Sequence, residues 1–232
     1  MCPGVSPKFA DDLAAVAVNT DSTYIARDLQ QAVDDLVSWS SQWGMSLNVA
    51  KTKVMFFGDK FETLDIYMNG VAIEQVTKQT YLGVMLDPQL NFSLQADFAV
   101  GKAKRAAAKI SGLLDGRDGI PVQTGVHLYK TLVRPHLEYA IPVWAAASDK
   151  DISKLEQTQV QCLKRMIGAK SHSSSSAVEV ITAVMPIRIR VRELCCREFL
   201  SKGSRTCSPT TITTNFKSRS TFLSTAIFGN YE

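Results

Sequence analysis

Two adjacent aspartates followed by an apolar run constrain the fold of this chain more than any other feature of its sequence. Asp11 and Asp12 lie just after Phe9, and residues 13–18 are all apolar. Successive side chains of a regular strand point to opposite faces, so both carboxylates reach one site only where the backbone turns sharply. A turn after Phe9, with a strand that leaves at Leu13, would place both acids at the tip of a hairpin.

Neighbouring carboxylates repel each other, and at least one resists ionisation unless cations neutralise the pair. Mg²⁺ does this because it takes oxygen ligands and keeps coordination positions open for substrate phosphates. Asp11 and Asp12 are therefore predicted to be metal ligands in half of a phosphoryl-transfer site. The alternative is a helix over residues 11–18 with both acids in its first turn, because half of residues 13–18 are Ala and periodicity does not distinguish a helix from a buried strand.

The composition is that of an ordinary soluble globular protein, with 45% hydrophobic and 21% charged residues. No stretch of about eighteen uncharged apolar residues is present, so neither a transmembrane helix nor a membrane partner is expected. Residues 1–8 lack the charged and apolar regions of a signal peptide. The 5 cysteines are an odd number without framework spacing, which indicates a reducing, intracellular location in the cytoplasm or the nucleus.

Charge is divided unevenly along the chain. Residues 1–100 carry 6 Lys or Arg against 12 Asp or Glu, whereas residues 101–232 carry 20 against 10. An acidic first part and a basic second part suit an enzyme whose carboxylates hold metal while a neighbouring region binds a polyanion. The alternative is an uneven solvated surface, because the basic residues are spread out.

The first 90 residues predict an α+β arrangement with an antiparallel sheet. In chain order the predicted elements are a strand over 5–9 that contains Pro7, a helix over 23–43 that ends at Gly44, a strand over 54–57, a hairpin over 64–73 with Asn69-Gly70 at its turn, and a strand over 80–86 that Pro88 ends. The helix carries a second aspartate pair, Asp34-Asp35, opposite its apolar stripe, so these two acids are predicted to be solvated.

From residue 91 the pattern is nearly all helical. Helices are predicted over 92–114, from Pro121 to about 141 with a kink or break at Pro135, over 152–167, and over 177–184 with a continuation after Pro186 to about 200. Arg188, Arg190 and Arg192 alternate with apolar residues, a strand-like period that conflicts with the last helix. Residues 201–232 are rich in Ser and Thr without periodicity and are predicted to be a disordered tail. The expected domains are thus 1–90, 91–200 and this tail.

Several short motifs follow one another in an order that is itself informative. They are Phe9-Ala10-Asp11-Asp12, residues 44–53 with Lys51, Tyr81-Leu82-Gly83-Val84, residues 129–139 with Trp144, and residues 152–168. Together they resemble the palm and thumb motifs of reverse transcriptases, the RNA-directed DNA polymerases, of non-LTR (LINE-type) retrotransposons. The resemblance covers about residues 9 to 200.

The resemblance implies a fold and a set of site residues. The fold would be a right-hand polymerase, with a partial palm followed by an all-helical thumb-like region. Asp11 and Asp12 would hold Mg²⁺, Lys51 would act near the leaving pyrophosphate, and Tyr81-Leu82-Gly83 would belong to a hairpin that supports the primer end. An RNA template, a DNA primer and dNTPs would be the partners of the intact parent.

The chain departs from the family pattern at its start. A polymerase palm needs a third carboxylate from a strand well upstream of the aspartate pair, and only ten residues precede Asp11. We therefore expect a C-terminal fragment whose partner is the missing N-terminal part of the polymerase, and no catalysis by this chain alone. Pro7 in the expected strand suggests that residues 1–8 are not native.

The remaining candidate residues have a functional and a structural interpretation each. Four cations on the helix over 92–114 are predicted to meet nucleic-acid phosphates, with a solvated helix face as the alternative: Lys102, Lys104, Arg105 and Lys109. For Lys51 the alternative is a solvated lysine before a strand. For the three tryptophans, packing or capping is favoured over base stacking: Trp39, Trp43 and Trp144.

Three functional hypotheses follow. The first is a fragment of a reverse transcriptase whose intact parent extends a primer 3′-hydroxyl with dNTPs by two-metal phosphoryl transfer. The second is a non-catalytic nucleic-acid-binding remnant that uses only the basic helical part. The third is a decayed transposon product without function, because half a palm exposes apolar sheet to water.

Overall fold

The computed structural model describes residues 8–9, 12–58, 62–114, 121–145, 147–201 and 223–230. These residues form two compact units, one that ends at Leu90 and also includes the segment 223–230, and one that begins at Asn91. The first unit combines helix and sheet, and the described part of the second is helical. Among the described helices, none is long and apolar enough to cross a membrane.

The first unit contains nine short strands and one long helix among its described residues. In chain order these are β1 (Lys8–Phe9), β2 (Asp12–Asn19), α1 (Ser22–Gln42), β3 (Lys53–Phe57), β4 (Tyr67–Met68), β5 (Val71–Ala72), β6 (Glu74–Gln75), β7 (Gln79–Tyr81), β8 (Val84–Leu86) and β9 (Leu223–Asn230). Five of them form the main sheet in the order β1-β2-β9-β3-β6, and β4-β5 and β7-β8 are separate two-stranded hairpins.

The run after the aspartates is a strand, so the helical alternative for this segment is wrong from Asp12 onward. Its residues are buried on both faces of the sheet. Ala15 and Ala17 pack in the core under α1, whereas Ala14 packs with Met55 of β3 on the other face. A strand covered on both sides needs no alternation of apolar and polar residues, which is why its sequence lacks a period of two.

The sheet is mixed, and this corrects the prediction of an antiparallel sheet. β1-β2, β2-β9 and β9-β3 are antiparallel pairs, but β3 and β6 run parallel. The β4-β5 hairpin lies between β3 and β6 in the chain. After this hairpin, β6 pairs with β3 and runs in the same direction. Because β2 and β3 are both antiparallel to β9, they are parallel to each other, and α1 is the crossover helix between them.

Helix α1 is confirmed at both ends. The Asp21 carboxylate accepts hydrogen bonds from the Thr23 hydroxyl at 2.7 Å and from the Thr23 backbone N–H at 2.9 Å, and these two N-cap bonds lower the pKa of Asp21. Gly44, with φ +67°, takes the left-handed conformation after the helix. Asp34 and Asp35 are exposed, as predicted.

Two of the three tryptophans, Trp144 and Trp43, have different environments. Trp144 is fully buried, as the packing interpretation predicted. Trp43 is 69% exposed and is the C-cap residue of α1, as the capping interpretation predicted.

Two hairpins carry the turns of the first unit. Asn69 and Gly70 have φ of 52° and 77°, the left-handed pair that the Asn-Gly signal predicts. The predicted strand over 80–86 is instead the hairpin β7-β8, with Leu82 and Gly83 at φ 46° and 77°. Gly83 signals this turn, but Leu82 is a residue that rarely adopts positive φ, so residue-level reasoning favoured a continuous strand.

The second unit is built from helices that agree closely with the sequence pattern. They are α2 (Ser93–Leu114), α3 (Val122–Leu128), a π-helix (Tyr129–Val133), α4 (Arg134–Glu138), α5 (Ile141–Trp144), α6 (Asp149–Met166), α7 (Ser175–Thr182) and α8 (Ile187–Ser201). The arginines that alternate with apolar residues lie on helix α8 rather than on a strand, and two of them form ion pairs with other helices. Arg188 contacts Asp149 at 2.7 Å, and Arg190 contacts Glu138 at 3.0 Å.

The predicted break at Pro135 is confirmed, because the helix widens into a π-helical turn just before this residue. Proline has no N–H to donate to the preceding turn of a helix. The chain accommodates it with the π-helix, in which the Arg134 backbone N–H bonds the Tyr129 carbonyl five residues back. The helical run then ends at Glu138, and Ala140 takes a positive φ of 53°.

Helices α2 and α6 pack closely because α2 presents small residues to its neighbours. The residues that α2 buries at helical spacing are Ala96, Ala99, Ala103 and Ala107. Asp151 of α6 fixes the start of both helices, accepting hydrogen bonds from the hydroxyls of Ser93 at 2.8 Å and Ser148 at 2.7 Å. Burial alone would raise the pKa of Asp151, but these bonds and the one from Lys154 hold it below its ordinary value.

The prediction of a disordered tail over residues 201–232 is wrong for one segment. Residues 223–230 form β9 rather than a disordered segment. The octapeptide shows no clear alternation of apolar and polar residues, and its partners lie far away in the chain, so no local signal predicts this strand. Residues 202–222 and 231–232, which the same prediction covers, lie outside the described residues, as do residues 5–7 of the first predicted strand.

Gly125 provides a test of the packing in the second unit. A Cβ at this position would lie 2.2 Å from the Met166 carbonyl oxygen, a backbone atom that cannot move aside cheaply. We expect Gly125→Ala to lower the free energy of unfolding by about 3 kcal/mol, measured by urea denaturation. Gly101→Ala is the matched control: its nearest neighbour is the flexible Arg105 side chain at 3.3 Å, so we expect it to be neutral or to stabilise by up to about 1 kcal/mol. Equal losses in both variants would contradict this packing.

Candidate active site and nucleic-acid interface

Asp12 stands at the first position of β2, where the sheet begins. Phe9 of β1 pairs with it on one side and Asn230 of β9 on the other. The side chain of Asp12 is partly buried. Asp11 lies outside the described residues, so of the predicted metal ligands only Asp12 has a described position. That position is a strand end next to a chain reversal, as the hairpin prediction required.

Tyr81 of the β7-β8 hairpin lies near Asp12. Burial raises the pKa of the Tyr81 hydroxyl, and the negative charge of Asp12 raises it further. The sheet geometry is consistent, because Asp12 shares its strand face with Ala14 and Val16, and Tyr81 packs against the cluster that contains them. The structure therefore brings together two residues that the sequence placed in separate motifs.

The other two residues of the Tyr81-Leu82-Gly83 motif form the turn of this hairpin. Leu82 is 37% exposed, and both residues have positive φ. The motif was expected to be a hairpin from the family resemblance, and the structure has a hairpin there. Support of a primer end by these residues stays a prediction.

Lys51 lies in the turn before β3 and is exposed. Its backbone N–H donates to the Asn48 side-chain oxygen at 3.1 Å. Lys53 of β3 and Ala14 of β2 both pair with Phe228, so β2 and β3 begin at the same end of the sheet with one strand between them. Two strand spacings separate them, about 10 Å. Lys51 therefore stands at the sheet end where Asp12 stands, while the neighbouring Lys53 forms an ion pair with Glu74.

The described residues do not complete a magnesium site. Within the described part of the chain, no group of three or more His, Cys, Asp or Glu side chains could hold a metal ion. Asp12 is half of the predicted pair, and the chemistry of a two-metal site requires further carboxylates.

The four basic residues predicted on α2 do not all line one cavity. Lys104 and Arg105 are exposed and line a cavity of about 370 Å³ between α2 and α6. Lys102 lies over the ring of Phe98, with its ammonium 4.3 Å from the ring centre. Lys109 is exposed but does not line this cavity. The structure thus separates the four cations into a pair that faces α6 and two others.

Arg165 completes the cavity and was not among the predicted binding residues. It is exposed on α6 and lines the cavity with Gln161 and Cys162. Burial raises the pKa of the Cys162 thiol to about 11, although the positive charges of Arg165 and Lys104 act in the opposite direction. Both cations line the same cavity as this thiol, which places them close together. Because α2 and α6 are far apart in sequence, no helical spacing could have joined Arg165 to Lys104. We call Lys104, Arg105 and Arg165 the basic groove.

A larger cavity beside the basic groove has mixed charge. It encloses about 730 Å³ and is lined by Lys164 and Arg165 but also by Glu156 and Glu179. Burial raises the pKa of Glu179, and the neighbouring charge of Glu156 raises it further. The Lys164 ammonium donates to the Ser171 carbonyl at 2.7 Å. This cavity suits a polyanion less well than the basic groove does.

Comparison with known proteins gives a consistent set of relatives. The chain is 27% identical over 187 residues to the RNA-directed DNA polymerase from mobile element jockey of Drosophila funebris, a match that covers 80% of this chain and 20% of the relative. It is 24% identical over 172 residues to the jockey polymerase of Drosophila melanogaster, covering 74% and 19%. It is also 24% identical over 163 residues to a probable RNA-directed DNA polymerase from transposon X-element of Drosophila melanogaster, covering 70% and 18%.

These matches confirm the predicted resemblance to polymerases of mobile elements. The chain spans about one fifth of the length of the curated relatives it matches. No family model matches the sequence. No solved structure matches the chain.

The proximity of Asp12 and Tyr81 can be tested by titration. Removing a negative charge stabilises the ionised phenolate, so Asp12→Asn should lower the pKa of Tyr81 towards its ordinary value. The measurement is NMR of ¹³C-labelled tyrosine rings, with the Tyr81 signal identified by its loss in Tyr81→Phe. Asp34→Asn, on the exposed face of α1, is the control and should leave the signal unchanged. An unaltered Tyr81 titration in Asp12→Asn would refute the proximity.

Proposed function

Because the chain is related in sequence to RNA-directed DNA polymerases of mobile elements, we propose that it forms the distal palm and thumb of a reverse transcriptase of a non-LTR element. The observation that carries this proposal is Asp12 at the start of β2, next to a chain reversal and beside Tyr81. Asp12 belongs to the β1-β2 pair and Tyr81 to the β7-β8 hairpin, which are far apart in the sequence. A polymerase site would need the acid and the primer-supporting hairpin at one place.

The proposed reaction of the whole polymerase is attack by a primer 3′-hydroxyl on the α-phosphate of a dNTP, with release of pyrophosphate. In it, Asp11 and Asp12 would be ligands of Mg²⁺, together with carboxylates beyond the described residues. Lys51, exposed at the same end of the sheet, would contact or protonate the leaving phosphate. Tyr81-Leu82-Gly83 would support the primer end. By itself this chain is proposed to be inactive.

The second unit is proposed to hold the template–primer duplex by its backbone. The basic groove places three cations around one cavity whose size admits a phosphate group. Contacts to phosphates fix the position of a duplex without reading its sequence. A polymerase that copies any template needs contacts of this kind, and we propose that the second unit, the predicted thumb, supplies them.

Nucleic-acid binding without catalysis is the second candidate function. The basic groove favours it, because this groove involves no residue of the sheet and needs no metal. In that case the acids near the start of β2 would have no role in chemistry. The two candidate functions predict different results in a primer-extension assay and the same result in a binding assay.

The binding claim can be tested with the full chain and a labelled RNA–DNA hybrid. Replacing Lys104, Arg105 and Arg165 together by Ala should weaken binding because up to three phosphate contacts are lost. The slope of log K against log salt concentration should then become less negative by up to about 3. Fluorescence anisotropy at several NaCl concentrations measures both quantities.

The matched control removes the same charge elsewhere. Lys150, Lys170 and Arg192 are exposed residues of the second unit that do not line the basic groove. Their joint replacement by Ala should change the salt slope much less. Equal effects of the two triple variants would show that net charge alone drives binding, and would refute the groove as the interface.

The catalytic claim needs the remainder of a polymerase. We propose a chimera in which this chain replaces the matching segment of the jockey polymerase of Drosophila funebris, assayed by primer extension on poly(A)/oligo(dT). Asp11→Asn in the chimera should reduce extension by at least about a hundredfold, the effect of losing roughly 3 kcal/mol of transition-state stabilisation. Asp34→Asn is the control and should retain activity. Full activity of Asp11→Asn would refute the metal assignment.

A further inference from the structure

The larger cavity and the basic groove adjoin each other on helix α6. Both are lined by Gln161 and Arg165, which lie about one helical turn apart. From this junction the larger cavity extends to Glu179 of α7, and the basic groove extends to Lys104 of α2. A single ligand that lies across the junction therefore meets cations at one end and a carboxylate at the other.

Glu179 contributes a carboxylate without a partner to the larger cavity. Among the described residues, no hydrogen-bond donor or ion-pair partner contacts the Glu179 carboxylate, whereas that of Glu156 is paired with Arg188 at 3.3 Å. Burial and the charge of Glu156 disfavour the ionised form of Glu179, which is why its pKa is raised. A ligand that donates hydrogen bonds to this carboxylate offsets that cost.

The rest of the lining suits a flat heterocyclic ring. The volume of about 730 Å³ lies in the range of small-molecule sites, and Val160 and Ala169 supply apolar surface for the faces of a ring. Gln157 and Gln161 follow each other on one face of α6, and their amides can donate or accept at the edge of a ring. A nucleotide combines an anionic phosphate with a flat base that carries N–H donors, so it matches both ends of the joined cavities.

Hydrogen-bond chemistry selects one base. The Watson–Crick edge of guanine offers two adjacent donors, N1–H and N2–H, which match the two oxygens of a carboxylate. Adenine and cytosine offer one amino group beside an acceptor nitrogen, and uracil offers one N–H between two carbonyl oxygens. Each of these three bases therefore sets an acceptor against the carboxylate. In a duplex the Watson–Crick edge is already paired, so proteins read it on unpaired nucleotides, most often of RNA.

We propose that the larger cavity binds the base of an unpaired guanine nucleotide of RNA, with Glu179 accepting hydrogen bonds from N1–H and N2–H and the basic groove holding the adjoining phosphates. The phosphate contacts rest on the nucleic-acid binding proposed for the second unit, whereas the choice of guanine rests on Glu179. Phosphate contacts do not read sequence. The larger cavity adds selection of one base at an unpaired position, and Glu179 is the specificity-determining residue.

The test uses the full chain and four fluorescent RNA hairpins that differ only in one bulged nucleotide, with a fully paired hairpin as the reference. By anisotropy, the G bulge should bind about tenfold more tightly than the A, C and U bulges, as expected of one bidentate base contact. Glu179→Gln should abolish this ratio, because an amide has only one acceptor oxygen and its NH₂ group opposes a guanine donor. Binding of the paired hairpin should persist in this variant, which shows that it is folded.

The matched control removes the same charge outside the joined cavities. Glu198 lies on α8 and lines neither of them. Glu198→Gln should leave the ratio between the G bulge and the other bulges unchanged. A preference for guanine that survives Glu179→Gln, or that is lost equally in both variants, would overturn the role of Glu179.

Free nucleotides separate the base site from nucleic-acid binding. Saturation-transfer difference NMR should show stronger transfer to guanosine 5′-monophosphate than to the adenosine, cytidine and uridine monophosphates, and Glu179→Gln should remove the difference. If the hairpins bind without a preference for the G bulge, the guanine site is wrong and the proposed nucleic-acid binding stands. If no hairpin binds while guanosine monophosphate is still preferred, the RNA occupant and the proposed nucleic-acid binding are both wrong, and the cavity takes a free nucleotide.

Discussion

The first unit depends on one backbone ladder, in which β9 joins two parallel strands whose backbones do not pair with each other. α1 connects β2 to β3 across that strand, and the helix packs its buried residues Ile25, Leu29 and Val33 on one face of the sheet. The small side chains of β2 permit this close packing. Since buried N–H and C=O groups must be paired, the whole core requires an occupant of the middle position. Asp12, at the end of β2, is held in place by that ladder.

The second unit depends on a different constraint, the close approach of α2 and α6. Alanines on α2 and the Asp151 hydrogen bonds set how near the two helices lie. Gly125 allows a similar approach of α3 to the end of α6. Because the axes of α2 and α6 lie close together, residues on the facing sides of the two helices become neighbours. In this way Arg165 of α6 comes to line the same cavity as Lys104 of α2. The basic groove is therefore a consequence of packing between small residues rather than of a cluster of cations in the sequence.

The two candidate sites have opposite character and belong to separate units. An acid at a strand end near a partly buried tyrosine is a candidate metal ligand, while a groove of three cations is a candidate site for a phosphate backbone. A nucleic-acid polymerase requires both kinds of site. Each has its own physical basis in the described residues, so either can be tested while the other is left intact.

The sequence by itself determined most of the elements whose signal is local. The apolar stripe and cap of α1, the Asn69-Gly70 turn, the break at Pro135 and the helices of the second unit follow from spacing, backbone preference and missing donors within a few residues. Only the tertiary structure decided which distant segments meet: β9 between β2 and β3, the parallel pairing of β6, Tyr81 beside Asp12, and Arg165 beside Lys104. The reason is physical. Local patterns fix the conformation of a segment, but partners far apart in the chain are selected by packing and by the need to pair buried backbone groups.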